Sequence, residues 1–588
     1  MKVLTGIGAS QGLALGPALV YRHAKQMIPH TKIRGSKTRK HALADSEEAR
    51  FDSAVEAVKT DIMAFSDAPD ASVSPASHEH ADILDTHLMM LQDSEFHATV
   101  KNLIRTDAIN AEWAVERACD LFTSSLEAAQ KDAVLTERTV DIKDVGTRII
   151  RSLTGTDHGQ IVKTDKDVIL VCDSVLPSEV MDMDRSHVKG IILADGSRTS
   201  HAAILFRSYN IPAVVAVRDV LDQIAGDDEI FIDGTEGEVI IRMEPDDHSR
   251  MQSFCEGRWA TWERTVRDLA FHKAVTTDGK FIPLKANVEV LAELDMLAKI
   301  GCDGIGLYRT EFLFIHSHSL PSEDKQFAAY RAMVKGMEAQ GAVTIRTLDI
   351  GGDKIIPGME LGESNPALGW RAVRFTLAEP AIFLTQLRAI LRASAYGKVR
   401  IMFPMISGLL ELEMALKILE QAKSELRSRN MPFDEDITVG TMIEVPSAAL
   451  CSDILARKVD FFSIGTNDLI QYTIAVDRSN SRTAYLYRPL HPGVLRLLKI
   501  IIDNAHQAGI TVESCGEMAG TTTGALLLMG LGIDGLSMTS QSLLDVRKAI
   551  RSISYDAARE MALHALNLTN AQEIEDYIRK TIHDRSTT

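Results

Sequence analysis

The sequence predicts a multi-domain α/β protein: a small α/β domain interrupted by an inserted α-helical bundle, followed by a C-terminal (β/α)8 barrel. Three observations lead there. At 588 residues the chain is too long for one ordinary domain. Eight short β-type runs alternate with helical stretches in its last ~300 residues, the arithmetic of a barrel. Ahead of them, two stretches of β character flank a stretch of helical period. The expected partition is 1–22 with 154–250 for the α/β domain, 23–153 for the bundle, 251–274 for a linker helix and 275–588 for the barrel.

Taken in order, Gly6-Ile-Gly-Ala-Ser-Gln-Gly12 lies between short apolar runs and reads as strands joined by tight turns. Its spacing matches neither a P-loop nor a dinucleotide fingerprint. From about residue 40 to 153 the period is helical: Ile83, Leu84, Leu88 and Leu91 share a face, as do Ala114, Ala118, Leu121 and Phe122. Residues 72–77, rich in Ser and Pro, read as a loop. Between Asp82 and Asp144 thirteen acids stand against six bases. That acidic surface either steers a basic protein partner or is simply solvated. Runs 167–171, 190–193, 213–217, 229–232 and 238–241 are strand candidates, with the strands of 1–22 completing their sheet. Residues 251–274 carry Trp259, Trp262, Val266 and Leu269 at helical spacing and no proline, as a linker helix would. The barrel strands are expected at 283–288, 304–308, 343–347, 399–403, 438–443, 461–464, 511–514 and 535–538.

The formal charge of −17 argues against a nucleic-acid partner. No apolar run is long enough to cross a bilayer, and the N-terminus lacks the features of a signal peptide. Six scattered cysteines, at 119, 172, 255, 302, 451 and 515, form no Cys-x-x-Cys pair. They indicate a reducing compartment, so a cytoplasmic protein is expected.

One stretch stands out in the α/β domain. Gly196-Ser-Arg-Thr-Ser-His-Ala-Ala-Ile204 follows the strand-like run 188–194; Gly196 breaks the strand, and Thr199 and Ser200 are good helix N-caps. His201 then falls in a first helical turn, where free backbone N–H groups favour negative charge. Its imidazole is a competent nucleophile near neutral pH, and Arg198 discourages its protonation and steadies an incoming anion. Covalent phosphoryl transfer through His201 is chemically reasonable. A histidine that only caps or packs also fits, and the nonamer alone does not choose.

In a (β/α)8 barrel the chemistry sits at the carboxyl ends of the strands. There the sequence carries Arg309-Thr-Glu311, Arg346-Thr-Leu-Asp349-Ile-Gly-Gly-Asp353-Lys354, Arg371 and Arg374, Glu444, Asn467-Asp468, Asp477-Arg478 and Cys515-Gly-Glu517. Arginine forks beside carboxylates describe a site for a small, highly charged anion with a divalent cation, and Glu444 and Asp468 are hard oxygen ligands that suit Mg²⁺. Cys515, at the barrel mouth, reads as a proton donor or acceptor, or as a small buried hydrophobe.

These blocks, with Gly304-Ile-Gly-Leu-Tyr-Arg-Thr-Glu-Phe-Leu-Phe314 and Gly465-Thr-Asn-Asp-Leu469, resemble enzyme I of the bacterial phosphoenolpyruvate-dependent sugar phosphotransferase system, from Gly6 to nearly the C-terminus. The resemblance implies that His201 is phosphorylated at Nε2 in a swivelling phosphohistidine domain. It implies that Arg309, Arg346 and Arg478 bind phosphoenolpyruvate with help from Asn467, and that Glu444 and Asp468 hold Mg²⁺. Cys515 would protonate the enolate to give pyruvate. The helical insertion around His87 resembles the docking surface for the small histidine phosphocarrier protein, and the barrel resembles the family's homodimerisation domain. Ser197 stands where the family usually has a second glycine, a change expected to tighten the turn and slow transfer. Opening at the Gly6 strand with no sensory domain ahead, the chain is expected to belong to the sugar branch rather than the nitrogen-related one. Dikinases and synthases that use phosphoenolpyruvate share the histidine and barrel motifs but carry an ATP-grasp domain, for which this chain has too little length. A phospho-relay without turnover of its own is the other alternative.

Overall fold

In a computed structural model the chain divides into two units, Met1–Thr261 and Trp262–Thr588. The structure describes the chain outside residues 1, 11, 23–27, 35, 67–87, 89, 92, 130–132, 156–163, 165, 176–178, 181–182, 184, 197–200, 210, 316–319, 352–364, 478–482 and 587–588, and outside some further side chains, that of His201 among them.

The first unit rests on an eight-stranded sheet: β1 (Lys2–Thr5), β2 (Ile7–Ser10), β3 (Leu13–Tyr21), β4 (Val168–Cys172), β5 (Val188–Leu193), β6 (Ala213–Val215), β7 (Glu229–Asp233) and β8 (Glu238–Ile241). Their order is β1-β8-β7-β3-β4-β5-β6-β2. β3 to β6 are parallel, and the strands outside them antiparallel to their neighbours. Val-Ile-Leu-Val-Cys in β4 is an unbroken buried run because apolar clusters cover both faces of the sheet. The glycine-punctuated N-terminal strands complete this sheet, as expected, and their glycines serve packing. A Cβ on Gly8 would stand 2.4 Å from the carbonyl oxygen of Gly234.

Between β3 and β4, helices Lys37–Ser66, Ser94–Thr106, Ala111–Ala129 and Ala133–Thr154 pack around Phe51, Val55, Val100, Ile104, Ala114 and Ile149. Leu91 is buried in that core and Leu88 packs against it; Ile83, Leu84 and the expected loop at 72–77 lie outside the described residues. Leu121 departs from expectation. It is exposed, and Phe122, tilted against Phe96 at 5.9 Å, turns to the core instead.

The helix expected over 251–274 runs over Pro245–Leu269. Proline is well placed in a first helical turn, where its missing N–H costs no bond. Just past the other end Phe271 takes a left-handed conformation (φ 62°), which stops the helix. Ala274 is part of the barrel core. The boundary between the two units falls inside this helix.

In the second unit β9 (Leu284–Val288), β10 (Ile305–Tyr308), β11 (Val343–Arg346), β12 (Val399–Phe403), β13 (Thr438–Ile443), β14 (Phe461–Ile464), β15 (Thr511–Ser514) and β16 (Gly535–Met538) close into a parallel barrel. Five coincide with the expected runs and three are one residue shorter, so Arg346, Glu444 and Cys515 stand at strand ends, while Asp353, Lys354 and Arg478 lie outside the described residues. Among the described residues no helix is long and apolar enough to cross a membrane.

Because the Gly8 contact is with backbone, which cannot swing aside, Gly8→Ala should destabilise the first unit by about 1–3 kcal/mol. Calorimetry of the full chain is expected to show its transition moved to lower temperature and the barrel transition unmoved.

Candidate active site

The first unit contributes His201 at the start of the helix His201–Ser208, in the first turn as its sequence suggested. Gly196 precedes it with φ 122°. The helix is anchored by Ala202, Ala203, Leu205 and Phe206, all buried against β2, β5 and their neighbours. It follows β5 and precedes the parallel β6, which puts residue 201 at the carboxyl edge of the parallel strands, where open α/β sheets bind ligands. The caps Thr199 and Ser200, together with Arg198 and Ser197, lie outside the described residues.

The second unit contributes the barrel mouth, and here the structure brings most of the expected residues together. Arg346 ends β11 and is buried. Its Nη2 donates to Glu311 Oε1 at 2.6 Å, and its Nη1 lies 2.9 Å from Asp349 Oδ2. Arg371 shares Asp349, donating from Nη2 to Oδ1 at 3.0 Å; its Nη1 donates to the Tyr472 hydroxyl at 3.0 Å and lies 3.7 Å from Asp468 Oδ1. Burial opposes charge on both guanidiniums, yet the carboxylates outweigh it and hold both above the ordinary arginine range. Arg309 follows β10 and pairs with Glu289.

Glu444, directly after β13, is buried, and its Oε1 accepts the Met405 N–H at 2.6 Å. Burial first, then the charges of Asp468 and Asp349, push its pKa well above the usual carboxylate range against the pull of Arg346 and Arg371. Asp468 stands in the first turn of the helix Thr466–Ile474. Asn467, beside it, has its amide engaged by Glu517: Nδ2 donates to Oε1 and Oδ1 accepts the Glu517 N–H, both at 2.9 Å. Cys515 follows β15, buried among Leu307, Met402, Met442 and Phe461. Burial pushes its thiol up to about 11, with Ser463 and Arg346 drawing it the other way, so it is a neutral S–H at neutral pH. Arg478 lies outside the described residues.

The chemistry of the donor set fits an anion with a divalent cation. The Nε atoms of Arg346 and Arg371 are buried without a hydrogen-bond partner among the described residues. Three arginines, Arg309, Arg346 and Arg371, meet five carboxylates, Glu289, Glu311, Asp349, Glu444 and Asp468. A divalent ion would offset that negative excess, and hard carboxylate oxygens are the donors that suit Mg²⁺. No group of three metal-binding side chains occurs among the described residues, so substrate and water would complete such a shell. Sequence reasoning quoted Glu311, Asp349 and Arg371 as strand-end residues without giving them roles. It missed Glu289 and Tyr472, of which Glu289 carried a signal in its place directly after β9.

Family models match three stretches of the chain: "PEP-utilising enzyme, N-terminal" over residues 5–138, "PEP-utilising enzyme, mobile domain" over 164–237 and "PEP-utilising enzyme, PEP-binding domain" over 263–555. Curated relatives named phosphoenolpyruvate-protein phosphotransferase run the full length. That of Listeria innocua is 39% identical over 98% of this chain and 99% of its own. That of Enterococcus faecalis is 38% identical over 98% and 100%, and that of Bacillus subtilis 37% over 99% and 100%. Likeness at this level, carried through both units and over the whole length of each relative, makes the chain a member of the phosphoenolpyruvate-protein phosphotransferase family.

Proposed function

We propose that the chain moves the phosphoryl group of phosphoenolpyruvate onto His201 and then onto the small histidine phosphocarrier protein, releasing pyruvate, as the first step of sugar phosphotransferase transport. The observation that carries this reading is the pair of buried arginines with unpartnered Nε–H groups beside Glu444 and Asp468. Relatives of the same length and name support it. So does the match of residues 5–138 to the N-terminal region of PEP-utilising enzymes.

In this reading Arg309, Arg346 and Arg478 grip the phosphate and carboxylate, with Arg371 and Asn467 completing the wall. Bidentate guanidiniums hold the equatorial oxygens in place as the transferred group passes in line. His201 Nε2 forms the N–P bond as the P–O bond to the enol oxygen breaks, and the enolate departs with that electron pair. Glu444 and Asp468 would hold Mg²⁺, which would supply positive charge beside the phosphate and enolate oxygens. Cys515 gives its proton to the methylene carbon of the enolate, and its thiolate is reprotonated from water. The acidic helical bundle receives the phosphocarrier, and the α/β domain carrying His201 turns about the helix Pro245–Leu269 between loading and unloading. The domain limits that fit this cycle are 1–22 with 154–250, 23–153, a linker over 251–274, and the barrel over 275–588. The five described cysteines are free, in keeping with a cytoplasmic protein.

A homodimer through the barrel domain belongs to the same proposal. Leu410 and Met414, on the helix Leu409–Ser428, and Leu450 and Ile454, on the short helices Pro446–Leu450 and Ser452–Leu455, are exposed. An apolar set of this kind on neighbouring helices suits an obligate partner surface.

Incubation with phosphoenolpyruvate and Mg²⁺, without ATP, should yield pyruvate and an acid-labile phosphoryl label that His201→Ala abolishes. A label that survives this substitution would remove His201 from the role, and no label on the native chain would favour a relay without turnover. Glu444→Gln and Asp468→Asn should each raise the Mg²⁺ needed for half-maximal pyruvate release by at least about tenfold, since even outer-shell partners are worth that much. Leu450→Lys combined with Leu410→Lys should shift sedimentation toward the monomer.

A further inference from the structure

The segment carrying Cys515 is clamped by two side-chain amides. Asn467 grips it from one side through both polar groups of Glu517. From the other side Asn287 of β9 donates from Nδ2 to the carbonyl oxygen of Cys515 itself, at 2.9 Å. Ser537 of β16 donates its hydroxyl to Asn287 Oδ1 at 2.6 Å. That second bond fixes the amide: turned over, it would set Oδ1 against the Cys515 carbonyl. Since β16 lies between β15 and β9, one side chain ties three strands together at the point where the thiol emerges. The backbone has no slack elsewhere, because a Cβ on Gly516 would fall 1.8 Å from Thr466 Oγ1. The thiol's own polar contact is the Ile464 carbonyl oxygen at 3.7 Å, an ordinary length for sulfur, with the Ser463 hydroxyl beside it.

We propose that Asn287, oriented by Ser537, is a positioning residue for the protonation step: it holds the Cys515 backbone so that the S–H bond addresses one face of the enolate carbon. This rests on reading Cys515 as the acid. In the step the S–H bond breaks as the new C–H bond forms from the enolate's π pair, the enolate oxygen becomes the ketone of pyruvate, and the thiolate left behind takes a proton from water. Asparagine is the residue this place needs. An apolar side chain would leave the Cys515 carbonyl without its donor, and an aspartate would set a carboxylate against it. Ser537 acts only through Asn287, so its removal should give the same change to a smaller degree.

The test uses the full chain with phosphoenolpyruvate, Mg²⁺ and the phosphocarrier protein, comparing Asn287→Ala, Ser537→Ala and Cys515→Ala. Four quantities are measured: kcat and KM for pyruvate release, its solvent deuterium isotope effect, phosphoryl exchange between the phosphorylated carrier and His201, and the thermal midpoint. Misplacing a reacting group costs on the order of 10- to 100-fold in rate, so Asn287→Ala should lower kcat by that factor with KM unchanged. The isotope effect should rise, and exchange, which needs no acid, should be unaffected. A rise in KM at constant kcat, an unchanged kcat, or a parallel loss of exchange would overturn the proposal. Should Asn287→Ala fail to fold, Ser537→Ala carries the same comparison. If Cys515→Ala leaves kcat intact, the acid assignment itself falls; if Cys515→Ala alone is slow, that assignment stands and the clamp falls.

Discussion

The barrel mouth depends on keeping two guanidiniums ionised where there is almost no water. Arg346 and Arg371 are buried, and a charge in that setting survives only when paired and hydrogen-bonded. Asp349 is the shared partner, bonded to both. Glu311 takes the other side of Arg346 and also accepts the Asp349 N–H at 3.2 Å. Behind them Gln386 receives the Leu348 N–H and donates to the Thr310 hydroxyl, which donates to the Arg346 carbonyl. The backbone that carries the paired charges is therefore itself held by neutral groups. A preorganised electrostatic site of this kind need not rearrange when negative charge arrives.

The same network explains why Glu444 is poised as it is. With Asp349 and Asp468 near it and little solvent, its carboxylate gains from a nearby cation more than an exposed one would. The arginines supply part of that field, but they are already committed to other acids. Acids and arginines thus stand interleaved at the barrel mouth, each offsetting part of the other's charge.

Much of this was legible in the sequence because barrel geometry converts strand phase into position. Once eight runs were found at the right spacing, Arg346, Glu444, Asp468 and Cys515 had to cluster, since each is the last residue of a strand or stands within four residues beyond one. What was hidden is what strand phase does not encode. Nothing local says that Arg371, in the loop before the helix Val373–Ala378, folds back onto Asp349, or that Tyr472 reaches it from the helix Thr466–Ile474. The resemblance makes Asn467 a substrate ligand, and strand phase does not encode that its amide also meets Glu517. The Leu121 reading failed for a related reason. Helical period gives a face but not which of two adjacent apolar residues meets a partner as large as Phe96. The limits of the 245–269 helix were set by a left-handed residue, Phe271, which composition does not announce.

The interleaved sheet of the first unit bears on how the chain is made. β3 finds its neighbours only in β4 and β7, so the first strands leave the ribosome long before their partners exist. At typical synthesis rates that wait is on the order of ten to fifty seconds. The helical bundle, complete by Thr154 and built from local contacts, can fold during the interval and hold the two ends of the unfinished sheet close together. The insertion is thus placed to act as a scaffold in biosynthesis before it ever meets a partner.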